Sequence, residues 1–94
     1  MAAKLEIRAA VEDDVPLLLA FIKELAEYEK LSHEVSATEE ILRDSLFGER
    51  RVAEALLAYT DDEPAGFALF FHNFSTFIGR PGIYLEDLYV RPEY

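Results

Sequence analysis

The sequence has no cysteine and no tryptophan, and it contains only four glycines and four prolines among its 94 residues. Without cysteine the chain can form no disulfide and no thiolate metal site, and it has no thiol nucleophile. No apolar run reaches the roughly 18 residues of a membrane span, and the first six residues lack the apolar core of a signal peptide. We therefore expect a cytoplasmic protein without a membrane partner.

Positive charge is scarce as well, because 9 Lys and Arg residues stand against 19 Asp and Glu residues, for a net charge of -10. Binding to nucleic acid depends on Lys and Arg, so nucleic acid is not an expected partner. An acidic surface attracts cationic ligands such as amines. The same charge can also serve solubility alone, and composition does not choose between these explanations.

About half of the chain is apolar, at 51%, which is enough for one packed domain over residues 1–94. Alternating residues at Lys4–Arg8 predict a first strand. Helical spacing then predicts a helix that begins between Glu12 and Pro16 and runs to about Lys30. The residues expected on its core-facing side are Val15, Leu18, Leu19, Ile22, Leu25 and Ala26. The residues expected on its polar side are Lys23, Glu24 and Glu27.

A short second helix is predicted next. Its start has two candidate caps, namely Ser36, with Glu39 three residues later, and Thr38. Gly48 is a suitable residue for its C-terminal end. Both candidate caps remain open from the sequence.

The remaining elements are strands. The apolar runs Val52–Tyr59 and Ala65–Phe71 flank the turn residues Thr60–Pro64, which predicts an antiparallel hairpin. A connection over Asn73–Gly82 then leads to a last strand that begins at Ile83. The order strand, helix, helix, strand, strand, strand predicts an α+β fold with a mostly antiparallel four-stranded sheet. Because the later strands are apolar on both faces and the last one is a bare edge, we expect further polypeptide to cover that side.

Two adjacent carboxylates, Glu86 and Asp87, interrupt this last apolar strand. An unpaired carboxylate is costly to bury, so the pair suggests a functional site. A surface Asp next to a Glu in a salt bridge would explain the pair equally well. Alternation predicts that the two side chains point to opposite faces unless a bulge intervenes, so they are not expected to form an acid/base dyad. The two histidines, His33 and His72, have no neighbours that would complete a metal site, and none is expected.

The segments Leu5–Ala10, Lys23–Glu29 and, above all, Ile83–Tyr94 resemble the GNAT superfamily of N-acetyltransferases, and within it the diamine and thialysine acetyltransferase group. The resemblance covers essentially the whole chain but only the N-terminal half or so of the family's domain. In the family, residues corresponding to Pro92–Tyr94 lead into a Gly-rich loop that binds the coenzyme A pyrophosphate, and a tyrosine further along is the general acid. Neither feature is present in these 94 residues.

The resemblance implies roles for residues at matched positions. Leu88, Tyr89 and Val90 correspond to the strand segment whose main-chain groups bind the pantetheine arm and acetyl carbonyl of acetyl-CoA. Glu86 corresponds to the carboxylate that accepts the proton of the substrate ammonium, usually through water. Contacts to the cationic substrate are implied for Tyr28, Glu29 and Asp87.

The implied activity is acetyl transfer from acetyl-CoA to a primary amine of a small cationic metabolite, without metal. The loop Phe74–Arg80 lacks the acidic residue and tryptophan of polyamine-acetylating relatives and is more similar to the thialysine type. The isolated 94-residue chain is expected to be inactive, and a homodimer or association with a C-terminal half is expected. The alternative is a short non-enzymatic interaction module that pairs through its exposed strand edge.

Overall fold

One strand, two helices and three further strands follow one another along residues 3–94, the part of the chain that the computed structural model describes. In chain order they are β1 (Leu5–Ala9), α1 (Val15–Tyr28), α2 (Glu39–Phe47), β2 (Glu54–Thr60), β3 (Glu63–Ser75) and β4 (Arg80–Val90). Short 3-10 turns at Glu12–Asp14 and Ser32–Glu34 precede the helices. The predicted α+β fold class and element order are confirmed.

The sheet has the spatial order β1-β2-β3-β4, and every neighbouring pair is antiparallel. Its edges are β1 and β4. The β2–β3 turn places Asp61 and Asp62 at φ values of 50° and 68°. These positive values are those of a two-residue hairpin turn whose twist matches the strands, and Asp is among the residues that adopt them.

A local side-chain hydrogen bond closes the 3-10 turn before α1, and another caps α2. The main-chain N–H of Val11 donates to Oδ2 of Asp14 at 2.8 Å just before α1, and Pro16 lies in the first turn, where its missing N–H costs nothing. For α2 the structure selects Thr38 over Ser36 as the cap, because the Ile41 N–H donates to Thr38 Oγ1 at 3.2 Å. None of the helices within residues 3–94 is long and apolar enough to cross a membrane.

The core lies between the two helices and one face of the sheet. Its buried members are Val15, Leu18, Phe21, Leu42, Leu46, Ala55, Leu57 and Phe67. Phe21 corrects the predicted helix face, which omitted it, since it is 0% exposed and stacks on Phe67 with ring centroids 5.6 Å apart. The correction arises because α1 packs on the sheet along Val15, Leu18 and Phe21, while Leu19 and Ile22 are only half-buried beside this line.

The β3–β4 hairpin is longer than the sequence predicts. Its connection is only Thr76–Gly79, instead of Asn73–Gly82, and the pairing continues to Ser75 and Arg80. β2 pairs with β3 only as far as Phe70, so the rest of the hairpin is a two-stranded arm. The sequence predicts a longer connection because this region is polar and contains glycine. Both faces of the arm are exposed to solvent, so its strands do not need the apolar residues by which a strand is recognised.

The second face of the sheet is apolar and no described residue covers it. Leu5, Ile7, Leu88 and Val90 are between 55% and 66% exposed there, around a hollow of about 400 Å³. The expectation that further polypeptide covers this side of the sheet stays a prediction.

Gly66 marks the closest approach of β3 to β4. A Cβ at this position would collide with the main-chain oxygen of Tyr89 and lie 3.0 Å from Cα of Val90. These are backbone atoms, which cannot rotate away. Glycine is therefore required at this position for the two strands to pair as closely as they do.

We expect Gly66→Ala to destabilise the chain by about 1–3 kcal/mol, because the added methyl group forces β3 and β4 apart. Gly82→Ala is the matched control in β4, since its Cβ would meet only the end of the Asn73 side chain, which can move. Urea unfolding followed by circular dichroism measures both. Equal unfolding midpoints for the two variants would contradict the prediction.

Candidate active site

β4 carries an extra residue at Glu86. Leu69 of β3 pairs with Asp87, whereas the next residue, Phe70, pairs with Leu85, which leaves Glu86 without a partner of its own. This is a β-bulge, in which two residues of one strand oppose one residue of the other. The sequence predicts opposite faces for Glu86 and Asp87 unless a bulge intervenes. Because this bulge interrupts the alternation of side chains, Glu86 and Asp87 need not point to opposite faces.

Asp87 faces α1 and the turn that follows it. Together with Glu29 and Glu34 it lines an acidic hollow of about 170 Å³, whose other walls are Ile22, Leu25, Ala26, Leu31 and Val35. Burial raises the pKa of Asp87 above its usual value, and the negative charges of Glu86 and Glu29 raise it further. A cation placed between these carboxylates would relieve the repulsion.

A second depression, the α1–β4 cleft, has a volume of about 450 Å³. It is lined by Leu25, Tyr28, Glu29, Leu88, Tyr89, Val90 and Pro92. The structure thus brings five of the predicted site residues to one cleft. Glu29 lines both the α1–β4 cleft and the acidic hollow, so the two depressions adjoin at that carboxylate. Tyr28 is 75% exposed at the rim.

The outer edge of β4 presents free main-chain groups to this cleft. The N–H of Arg91 donates to the Ala65 carbonyl at 2.7 Å, and the Tyr89 carbonyl oxygen points at β3 beside Gly66. Residues of an antiparallel strand direct their main-chain groups alternately toward and away from the partner strand. The main-chain N–H and C=O of Leu88 and Val90 therefore point outward.

The same alternation divides the three residues predicted to bind acetyl-CoA. Leu88 and Val90 can offer main-chain hydrogen bonds to a ligand, whereas the main chain of Tyr89 is directed at β3. Tyr89 contributes its ring to the cleft instead, and its hydroxyl donates to Glu24 Oε1 at 3.3 Å. Burial and the nearby Glu24 carboxylate raise the pKa of this hydroxyl.

Two residues beside the cleft were missed by the sequence reasoning. Glu24, which was assigned to the polar side of the helix, is half-buried and accepts hydrogen bonds from Arg91 Nε at 3.0 Å and Nη2 at 2.8 Å. These hydrogen bonds lower the pKa of Glu24 and raise that of Arg91. The available signal was an arginine at the very end of an apolar strand, where it can reach a helix packed on the sheet.

The histidines have single acidic neighbours. His72 Nε2 lies 3.0 Å from Glu54 Oε2, and His33 Nε2 lies 3.8 Å from Glu34 Oε1, in exposed pairs. Across the residues that the structure describes, no group of three or more His, Cys, Asp or Glu side chains could hold a metal ion.

The exposed edge of β4 fits one part of acetyl-CoA. A pantetheine arm carries amide groups, which can pair with the outward main-chain groups of Leu88 and Val90 as an added strand would. The pyrophosphate needs several converging N–H donors on a Gly-rich turn. The four glycines of the chain, Gly48, Gly66, Gly79 and Gly82, form no such turn.

An α+β fold with a bulged edge strand, a free β4 edge and a carboxylate-lined cleft agrees with the resemblance to the GNAT superfamily. Residues 18–94 match the Acetyltransferase (GNAT) family. The chain belongs to this family, whose members use acetyl-CoA as co-substrate.

Two relatives of the chain are thialysine N-epsilon-acetyltransferases. The chain is 45% identical to a thialysine N-epsilon-acetyltransferase of Bos taurus over 94% of its own length and 56% of that protein. It is 37% identical to the thialysine N-epsilon-acetyltransferase of Caenorhabditis elegans, over 95% of its own length and 54% of that protein. The chain thus spans a little over half the length of these relatives.

Solved structures confirm the fold. A possible acetyltransferase from Clostridium difficile 630 superimposes with a TM-score of 0.71 at 20% identity, covering 96% of this chain and 59% of that one. A probable acetyltransferase superimposes with a TM-score of 0.77 at 20% identity, covering 95% and 59%. In both cases the similarity extends over nearly the whole chain.

Proposed function

We propose that these 94 residues form the acetyl-positioning and amine-binding part of an enzyme that transfers an acetyl group from acetyl-CoA to a primary amine of a small cationic metabolite. The main support is the α1–β4 cleft, which is lined both by Leu88 and Val90, whose main-chain groups point outward, and by Glu29. A thioester and an ammonium group can meet there. The thialysine-type relatives favour a lysine-like amine over a polyamine.

The chemical step requires a neutral amine. An alkyl amine has a pKa of about 10 and is protonated at neutral pH, so it must lose a proton before its nitrogen can attack. Glu86, which is exposed at the bulge two residues before Leu88, accepts this proton through a water molecule. The nitrogen then bonds to the acetyl carbon, and the carbon–sulfur bond breaks with its electron pair on the sulfur of coenzyme A. The nitrogen loses its second proton as the amide forms, and this proton balances the charge of the departing thiolate.

The main chain of β4 orients the reacting groups. Acetyl-CoA, when bound, supplies the activated acetyl group. An outward N–H of Leu88 or Val90 that faces the thioester oxygen stabilises the negative charge that develops on this oxygen during attack. Glu29 and Asp87 hold the remaining positive charge of the substrate, with Tyr28 at the rim of the cleft.

The test is an acetylation assay of the protein encoded by the complete reading frame, with acetyl-CoA and, in turn, thialysine, ornithine and spermidine. Released thiol and the mass of the product are measured. We expect thialysine and ornithine to be acetylated in preference to spermidine, and no turnover by a chain limited to residues 1–94, which has no pyrophosphate-binding loop. Absence of acetylation of all three amines would refute the proposal, and preference for spermidine would refute the lysine-like substrate.

Asp87→Asn is expected to stabilise the free protein and to weaken amine binding. The raised pKa means that folding favours the protonated carboxyl, so ionisation costs stability as the pH rises through and above the usual value near 3.8. We expect the melting temperature at neutral pH to rise by about 2–4 °C. The KM for the amine should rise about tenfold through loss of a charged contact.

Glu63→Gln is the control for this variant, because Glu63 is exposed at the start of β3 and lines neither depression. It should leave both the melting temperature and the KM within error. A lower melting temperature for Asp87→Asn would contradict the predicted destabilisation of the free protein by the ionised Asp87. An unchanged KM would contradict a contact between Asp87 and the substrate.

A second candidate function is an interaction module, which the uncovered apolar face and the free edge of β4 favour. It predicts that the 94-residue chain pairs with a second copy of itself through the edge of β4. Sedimentation of the 94-residue chain over a range of concentrations measures this self-association. A monomer at all concentrations would refute the second candidate.

A further inference from the structure

The side chain of Arg91, a residue between the cleft-lining Val90 and Pro92, joins three elements of the fold. Its Nε and Nη2 donate to the two oxygens of Glu24 on α1, and its Nη1 donates to the Pro64 carbonyl of β3 at 3.2 Å. Its guanidinium carbon lies 4.7 Å from the centre of the Phe21 ring. All three guanidinium nitrogens therefore have an acceptor.

The fork of hydrogen bonds restricts both partners. A bidentate Arg–carboxylate pair fixes the relative orientation of two planar groups, which a single-point ion pair does not. Glu24 also accepts the hydroxyl of Tyr89, so one carboxylate receives three hydrogen bonds. The Glu12–Arg43 pair elsewhere on the surface has one contact at 3.5 Å and is more exposed.

The location of the Glu24–Arg91 pair relates it to the cleft. Arg91 directly follows the Leu88–Val90 segment, and Glu24 lies on α1 one helical turn before Tyr28, which lines the opposite wall of the cleft. The Tyr94 N–H donates to the Arg91 carbonyl at 3.0 Å, so the chain turns immediately after this residue. The pair thus links α1 to the end of β4, at the point where the chain turns away from the strand.

We propose that Glu24 and Arg91 are positioning residues that hold the outward main-chain groups of Leu88 and Val90 at the spacing from α1 that acetyl-CoA binding requires. This rests on the function proposed above. Neither residue lines the cleft, so both act through β4 and α1 and not by contact with the substrate. Their loss affects the affinity for the acetyl donor more than the chemical step.

The test compares Arg91→Lys and Glu24→Gln with wild type in the protein encoded by the complete reading frame. Lysine keeps the charge but has no planar fork, and glutamine keeps the shape but not the charge. Amide hydrogen exchange of the peptide that spans residues 85–92 is measured by mass spectrometry, and KM and kcat are measured with acetyl-CoA varied. We expect exchange and the KM for acetyl-CoA each to rise at least about tenfold, with kcat within about threefold of wild type.

Arg43→Lys is the matched control, since it alters the other Arg–Glu pair with the same chemistry, and it should change neither exchange in this peptide nor KM. A lower melting temperature of Arg91→Lys with unchanged exchange and KM would reduce the pair to a structural contact and overturn the proposal. If the wild type acetylates no amine, the proposed function fails by itself. Amide hydrogen exchange of residues 85–92 then still tests whether Glu24 and Arg91 position β4 relative to α1. An exchange rate in Arg91→Lys equal to that of the wild type would overturn this proposal.

Discussion

Replacement of Phe21 by alanine is expected to destabilise the chain by about 3–5 kcal/mol. Phe21 is 0% exposed, stacks nearly parallel on Phe67 and meets Tyr89 edge-on at 6.2 Å. Truncation removes these ring contacts together with the surface over which the Arg91 guanidinium lies. It leaves a cavity between α1 and the sheet that neither side can close without moving.

The effect is large relative to the stability available. Domains have about 0.05–0.15 kcal/mol of stability per residue, or about 5–14 kcal/mol for 94 residues. Because one face of this sheet is uncovered, we expect a value near the lower limit, so that Phe21→Ala is largely unfolded at physiological temperature. Urea unfolding followed by far-ultraviolet circular dichroism measures the difference.

Phe77→Ala is the matched control, because it makes the same chemical change at a residue that is 98% exposed at the tip of the β3–β4 arm. A surface substitution of this kind should alter the stability by no more than about 0.5 kcal/mol. Equal unfolding midpoints for the two alanine variants would contradict the assignment of Phe21 to the centre of the core.

Replacement of Glu86 by glutamine is expected to lower kcat/KM for the amine about 100-fold or more at neutral pH. Glutamine has the shape of glutamate but cannot accept the ammonium proton. Because rising pH increases the neutral fraction of the amine in solution, the deficit should shrink as the pH approaches the amine's own pKa of about 10. The complete protein is assayed by thiol release over a range of pH.

Glu49→Gln removes the same charge from an exposed residue between α2 and β2, and it should leave kcat/KM and its pH profile unchanged. A pH-independent deficit in Glu86→Gln would indicate that Glu86 orients the substrate or water and accepts no proton. Wild-type activity in this variant would exclude Glu86 as the base.

Periodicity was sufficient to predict most of the fold. The apolar spacing from Val15 to Leu25 predicts α1, and the turn residues around Asp61 and Asp62 predict the β2–β3 hairpin, since both patterns depend on residues close together in sequence. The same patterns failed over Asn73–Gly82. There, no core contact imposes a pattern on the strands of the exposed arm, and the composition is that of a loop.

The candidate site was predicted in part. Two carboxylates within an otherwise apolar strand identified Glu86 and Asp87 as candidate site residues. The resemblance to acetyltransferases implied the substrate contacts of Tyr28 and Glu29. The division of main-chain roles between Tyr89 and its neighbours was not predictable, because it depends on which residues of β4 form hydrogen-bonded pairs with β3.

By itself, the sequence determined the order and type of the elements, the apolar character of both faces of β3 and β4, and the presence of carboxylates in the last strand. Each of these follows from residue types at local spacing. Only the tertiary structure decided the bulge at Glu86 and the pairing of Glu24 with Arg91. The bulge depends on a one-residue shift in register, and the ion pair joins side chains 67 residues apart in sequence, so both arise from packing and not from local pattern.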